Sequence, residues 1–183
     1  ITEGAMRGEL EFESALIERV GLLKGINRDQ LQCVLETAIE LTPGAKTLVG
    51  TMNKAGAITA LISGGFTFFT DKIAKQVGFQ HSQANELLFD GDNLSGEVKE
   101  PILGKHAKKQ ALIRLRDEAG LNHEDTLAIG DGANDLAMIE EAGLGVAYHA
   151  KPAVAAAADA GVNETDLTTL LYFQGYKQEE FTA

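Results

Sequence analysis

Two aspartates four residues apart, Asp131 and Asp135, stand with Asn134 in the stretch AIGDGANDLAMI, directly after an apolar run and directly before a helical pattern. A turn into a helix at that spacing can point both carboxylates at one spot. Two hard oxygen donors suit Mg²⁺, which takes one or two protein carboxylates and fills its shell with water and phosphate oxygens. Either aspartate alone reads equally as a turn or helix-start residue, since aspartate favours both places. A second stretch, LISGGF, puts Ser63 after another apolar run. Its hydroxyl and the Gly64 and Gly65 amides could ring an anionic oxygen, with no Cβ to block close approach. Phosphate held there needs a cation to neutralise developing charge. In GKHAKKQAL the candidate is Lys108, with Lys105 and Lys109 as rivals. Any of the three reads otherwise as part of a solvated helix face.

The elements that must position these residues follow from apolar spacing. Phe12, Leu16, Ile17, Val20 and Leu23 recur at helical steps over 10–23, and Leu31, Val34, Leu35, Ala38 and Ile39 repeat the pattern, predicting two amphipathic helices. Pro43-Gly44 marks a change of regime. A helix over about 45–54 precedes the strand AITALIS, which is expected to end at Gly64-Gly65 and feed a helix over about 67–77. NELLFDGDNLSGEV reads as a hairpin around an Asp-Gly turn. A helix over about 105–119, the strand TLAIG, the aspartate loop, a helix to about 142, the strand GVAY and an alanine-rich helix complete the chain. Alternating β and α units joined by glycine loops imply an α/β fold with a doubly wound, Rossmann-like parallel sheet. Ligands of such sheets sit at the carboxyl ends of strands, where helix N-termini expose N–H groups.

At 183 residues and 44% hydrophobic, the chain can bury the core of one α/β domain and a small appendage. A net charge of −11 argues against a nucleic-acid or anionic-membrane surface, so an anionic ligand must be held by a few local cations and amides. The apolar stretches are too short or interrupted to span a bilayer. The single cysteine, Cys33, excludes an internal disulfide and fits a reducing, cytoplasmic compartment; it is expected to be buried in helix packing. The four histidines are scattered and form no metal or triad set.

Taken together, SGGF, the lysine before QAL, and GDGANDLAMIEEAGLGVAYHAKP resemble the second, third and fourth motifs of the haloacid-dehalogenase-like phosphotransferases. ITEGAMRGELEFESALIERVGLLKG is similar to the helical cap of the phosphoserine phosphatase branch of that superfamily. The likeness extends over essentially the whole chain. It implies a cap remainder over 1–42, an α/β core over 43–183, and a hairpin insertion at about 84–99. It further implies a Mg²⁺-dependent hydrolysis of O-phosphoserine to serine and phosphate, the last step of serine synthesis. Under the resemblance Ser63 and Gly64 bind phosphoryl oxygens, Lys108 neutralises them, and Asn134 hydrogen-bonds within that network. Asp131 ligates Mg²⁺ directly and Asp135 supports it through its water shell. Arg19 takes the substrate carboxylate as a bidentate fork, while Met6 and Phe12 shield the closed site.

The sequence departs from that pattern at one point. The implied reaction needs an aspartate nucleophile in an Asp-x-Asp-x-Thr loop, whose second aspartate acts as general acid and base. The sole Asp-x-Asp here is Asp90-Gly91-Asp92, which lacks the threonine and lies in the expected hairpin turn. The chain opens on Ile1, so the expectation is that these residues are part of a longer protein and have no turnover by themselves. The first strand and nucleophile loop would be supplied from upstream. Three alternatives stay open: a phosphatase of the same fold for another small phosphomonoester, a non-catalytic phosphate- and metal-binding fragment, and the phosphorylation domain of a cation-pumping ATPase. The last predicts transmembrane helices and a large nucleotide domain, neither visible here. Self-association is left open by the sequence.

Overall fold

The computed structural model describes residues 12–104 and 106–182. Met6, Lys105 and the side chain of Phe12 lie outside what is described. In chain order the elements are α1 (Phe12–Gly21), α2 (Arg28–Ala38), α3 (Ala45–Lys54), β1 (Ala60–Phe66), α4 (Thr67–Val77), β2 (His81–Asn85), β3 (Leu87–Asp90) and β4 (Asn93–Val98). They continue with α5 (Ala107–Glu118), β5 (Leu127–Gly130), α6 (Leu136–Ile139), β6 (Leu144–Tyr148), α7 (Pro152–Ala155), β7 (Ala160–Val162) and α8 (Thr169–Phe173). The chain divides into two compact units. One gathers the described residues up to Leu41 with Thr59–Gly104; the other gathers Thr42–Ile58 with the described residues after Gly104.

In the first unit, α1 buries Ala15, Leu16 and Val20, and the four-residue step from Leu16 to Val20 keeps both on one face. They meet Leu31 of α2, Leu87 of β3 and Leu94 of β4, with Phe66, Phe68 and Phe69 packed against them. A reciprocal capping box starts α2. The Asn27 side chain accepts the Gln30 amide at 2.9 Å, and the Gln30 side chain accepts the Asn27 amide at 3.0 Å. The α1–α2 connection is sewn to the hairpin, because Gly25 N–H donates to the Leu94 carbonyl at 2.9 Å and Leu94 N–H to the Ile26 carbonyl at 2.8 Å. The hairpin β3–β4 is antiparallel as expected, with Asp90 opposite Asn93 across the Gly91-Asp92 turn. Asp92 is accordingly a turn residue, 4.0 Å from Arg28 Nε.

Two expectations for this unit need correction. Only Leu31 of the predicted α2 stripe is buried, while Val34 and Ile39 are exposed. Cys33 is exposed as well, not packed inside. Two residues along a helix amount to about 200° of rotation, so a cysteine two places after the buried Leu31 must face away from it. The second correction is that β1 does not end before the glycines. It runs through Ser63, Gly64 and Gly65 to Phe66, in parallel with β2. The ladder pairs Ile62 with Gln83 and next pairs Phe66 with Asn85, so three residues of β1 bulge out opposite one of β2. Strand β2, with the sequence HSQAN, has no apolar alternation and was invisible to the pattern.

In the second unit, β5, β6 and β7 form a parallel sheet in the order β5-β6-β7. Val146, Val162, Leu170, Leu171 and Leu48 of α3 make one core cluster, and Ile139, Ala147 and Val154 make another. The C-terminal residues are tied in: Tyr176 and Phe181 pack on the first cluster and Thr182 N–H donates to Thr51 Oγ1 at 2.8 Å. The fold class is therefore α/β with parallel strands, as the sequence pattern implied. The helices after β5 and β6 are single turns, shorter than their apolar pattern suggests. The alanine-rich one stops early because Asp159 turns the chain into β7, its carboxylate accepting Gly145 N–H at 2.8 Å and its own amide donating to the Gly145 carbonyl at 2.9 Å. Among the described residues no helix is long and apolar enough to cross a membrane.

Candidate active site

Strand β5 ends at Gly130, and the aspartate loop curls back over that end. The Asp135 side chain is 3% exposed, and its carboxylate collects three donors. Oδ2 accepts the amides of Asp131 and Gly132, each at 3.1 Å, and Oδ1 accepts Lys108 Nζ at 2.5 Å. A buried carboxylate with three donors on it fixes the shape of the loop and becomes its keystone. Its fit depends on glycine at 130, where an added Cβ would lie 2.3 Å from the Asp135 Cβ. Asp131 sits at the same strand end with an exposed side chain. The two aspartates thus differ in environment, one facing water and the other turned inward.

Helix α5 brings Lys108 to this loop, and its neighbour elsewhere. Lys109 Nζ lies 2.8 Å from Glu141 Oε2, while Arg116, two turns further along α5, places Nη1 3.1 Å from Glu141 Oε1. The Lys109 hydrogen bond, followed by that from Arg116, holds the Glu141 carboxyl below its usual range, and Glu141 in turn holds the Arg116 guanidinium above its own. Geometry therefore separates Lys108 from Lys109, with Lys105 outside the described residues: Lys108 meets the aspartate loop, and Lys109 pins α5 to the segment after α6. Asn134 is exposed, with its side-chain oxygen 2.6 Å from where a Cβ on Gly132 would stand.

In the first unit, the Ser63–Gly65 bulge precedes α4. Gly65 N–H donates to Ser63 Oγ at 3.0 Å, so this amide is satisfied locally and Ser63 keeps its own O–H to donate. Ser63 is not the N-cap of α4. That position is Phe66, with no side-chain cap. Asn85 is the residue that sequence reasoning missed. It is 2% exposed, its Nδ2 donates to the Gly64 carbonyl at 3.0 Å, and its Oδ1 accepts Leu103 N–H at 2.8 Å. A buried amide has to find such partners, but nothing in HSQAN announces the burial. Arg19 lies exposed in the last turn of α1, where a cation also complements the helix dipole.

The donor set suits a hard divalent cation. Asp131 offers an exposed carboxylate, and Asp135, with three donors on two oxygens, retains capacity to accept one more from a metal's water shell. Among the described residues no three His, Cys, Asp or Glu side chains gather to hold a metal. A cation at Asp131 would therefore take most of its shell from water and ligand oxygens, the habit of Mg²⁺ rather than of Zn²⁺.

An α/β fold with a lysine-bound aspartate loop at one parallel-strand end and a serine-glycine bulge in another parallel strand defines a class. The chain belongs to the haloacid dehalogenase-like hydrolase family, which residues 2–143 match. Within the family it is similar to phosphoserine phosphatases. It is 44% identical to that of Streptomyces coelicolor over 183 residues, covering all of this chain and 44% of the relative. It is 36% identical to that of Methanocaldococcus jannaschii, covering 94% of this chain and 82% of the relative. A solved structure described as a phospho-aspartyl intermediate analogue of phosphoserine phosphatase superposes with a TM-score of 0.85 at 35% identity, covering 94% of this chain and 82% of that one. The chain spans about half the length of several curated relatives that it matches.

Proposed function

We propose that this chain is part of a cytoplasmic, Mg²⁺-dependent phosphoserine phosphatase that hydrolyses O-phosphoserine to serine and phosphate. The observation that carries the reading is the Lys108 ammonium, 2.5 Å from the buried Asp135 of a loop whose other aspartate is exposed. Such a loop can present a metal on one side and a fixed positive charge on the other, which is what a transferring phosphoryl group requires. The likeness to phosphoserine phosphatases along the whole chain supports O-phosphoserine as the substrate.

In this reading Ser63 O–H and the Gly64 amide grip phosphoryl oxygens, and Lys108 neutralises charge as the ester oxygen departs. Asp131 would hold Mg²⁺ and Asp135 would support it through its water shell, while Asn134 hydrogen-bonds in the same network. When bound, the metal supplies Lewis-acid neutralisation of the phosphoryl oxygens and of the attacking carboxylate. Arg19 receives the substrate carboxylate, and Met6 and Phe12 cover the site. The attacking aspartate and the acid–base aspartate belong to an Asp-x-Asp-x-Thr loop that we place outside these 183 residues. The attacking carboxylate bonds to phosphorus as the serine oxygen leaves with a proton from the acid; water then cleaves the phosphoaspartate, giving its proton to the same group.

The test is phosphate release by the full-length protein with Mg²⁺ and either O-phosphoserine or phosphoethanolamine. Release from O-phosphoserine at a rate well above that from phosphoethanolamine is expected. No release from either sinks the enzyme reading, and equal rates sink the Arg19 carboxylate clamp.

A further inference from the structure

The phosphate grip assigned above to Ser63 rests on a hydroxyl whose direction is set by another residue. The Gly64 carbonyl and the Gly65 N–H belong to one planar trans peptide, so they point to opposite sides of it. One end is held by Asn85 Nδ2, which donates to the Gly64 carbonyl at 3.0 Å, and the other end donates to Ser63 Oγ at 3.0 Å. The peptide lies in a bulge where β1 has left its ladder with β2, so regular strand hydrogen bonds do not hold it. Asn85 itself is fixed, being 2% exposed and anchored through Oδ1 to Leu103 N–H at 2.8 Å. Glycine at 65 eases the close approach of Oγ, since a Cβ there would lie 3.1 Å from it and the hydroxyl would have to give by a few tenths of an ångström.

We infer that Asn85 is a positioning residue for phosphate recognition, acting through the Gly64–Gly65 peptide to orient the Ser63 hydroxyl. With one lone pair occupied by Gly65 N–H, the hydroxyl carries its single proton away from that bond and toward an anionic acceptor. The chain of hydrogen bonds from Asn85 through the peptide to Ser63 also polarises that O–H and makes it a better donor to phosphate. Asn85 touches no substrate; its effect is confined to the serine. This inference rests on the phosphatase reading for its substrate, but its geometry is testable without turnover.

The experiment uses the full-length protein and a cycle of Asn85→Asp, Ser63→Ala and the double variant. Asn85→Asp keeps the acceptor for Leu103 N–H but replaces the donor to Gly64 with a carboxylate oxygen. It is expected to lower kcat/KM for O-phosphoserine on the order of tenfold, and to weaken binding of inorganic phosphate in parallel. In the Ser63→Ala background the same change is expected to have almost no effect. An equal loss in both backgrounds overturns the inference, since a merely structural asparagine would act independently of the hydroxyl. Should the aspartate variant fail to fold, Asn85→Ser takes its place in the cycle. Hydrogen exchange supplies a readout independent of activity: the Gly65 amide is expected to exchange slowly in the wild-type protein and faster in the Asn85 variant. Exchange at the rate of a free glycine amide in the wild type overturns the relay without any variant. Absence of wild-type turnover with a protected Gly65 amide would remove the phosphatase reading and leave the relay standing. Turnover without Asn85–Ser63 coupling would do the reverse.

Discussion

Lys108 Nζ lies 2.5 Å from Oδ1 of Asp135, and the other oxygen of that carboxylate accepts the amides of Asp131 and Gly132 at 3.1 Å. One buried carboxylate thus holds both the shape of the aspartate loop and the position of the ammonium beside it. The roles of the nearby residues separate on this basis, because some substitutions should alter chemistry, others stability, and a few both.

Lys108→Met removes the ammonium while preserving the length of the side chain. It is expected to lower kcat on the order of 10²–10³-fold, the usual cost of losing one preorganised charge from a transition state. It should also destabilise the fold by about 1–3 kcal/mol, since Asp135 keeps its two amide donors but loses the charged one. Lys108→Arg should not restore the rate, because a planar fork cannot replace a point charge at this spot. Steady-state kinetics and urea midpoints measure the two effects, and a fully active Lys108→Met would remove the lysine from the proposed mechanism.

The two aspartates of the loop should fail in opposite ways. Asp131 is exposed, so Asp131→Asn is expected to change stability by no more than about 0.5 kcal/mol while abolishing Mg²⁺ binding and turnover. Asp135→Asn would set a carboxamide among three donors in a nearly buried place and should cost about 2–3 kcal/mol. Calorimetric Mg²⁺ titration beside thermal unfolding distinguishes them. Equal destabilisation by the two changes would contradict the assigned burial.

Gly130→Ala places a Cβ 2.3 Å from that of Asp135, a side chain held by three donors and with little room to yield. Overpacking of this kind is expected to cost about 1–3 kcal/mol and to displace the aspartate loop, so activity should fall with stability. Gly161→Ala is the control, because the nearest atom to its new Cβ is 4.0 Å away. Thermal unfolding of the pair should show a large shift for the first and a small one for the second.

Glu141 provides a pH test. Lys109 first and Arg116 second hold its carboxyl below the ordinary value near 4.5, so the charged form is favoured by folding. The contribution is therefore fully present above the unfolded-state value and is lost as pH falls through the lower folded-state value. The stability difference between wild type and Glu141→Gln should be constant near neutrality and shrink below about pH 4.5. Urea unfolding across that range measures it, and a difference that widens on acidification would reverse the assignment.

Much of this architecture was legible because hydrophobic spacing is a local property. The bounds of α3 and α4 follow from it and from flanking glycines, and the β3–β4 hairpin follows from its Asp-Gly turn. Strand β2 was not legible, since HSQAN is specified by a partner strand and not by its own pattern. Cys33 was misread because an amphipathic spacing shows that one face is buried without showing how wide that face is. The bulge at Ser63 was missed for a related reason: glycines after an apolar run look alike whether the strand ends or merely leaves its ladder.

For the site, the sequence by itself determined the kinds of chemistry available: two carboxylates with an asparagine between glycines, a serine before two glycines, and a short run of lysines. Residue type limits what a group can donate, accept or ligate, and spacing places those groups at the ends of parallel strands. Tertiary structure decided between Lys108 and the adjacent Lys109 for contact with the loop, which aspartate is buried within it, and which buried asparagine holds the serine's peptide. Lys108 and Lys109 are adjacent in the chain yet about 100° apart around α5, so the helix rotation set by Glu141 sends one to Asp135 and the other away. That rotation, like the burial of Asn85, is fixed by contacts between residues far apart in sequence, where local patterns carry no information.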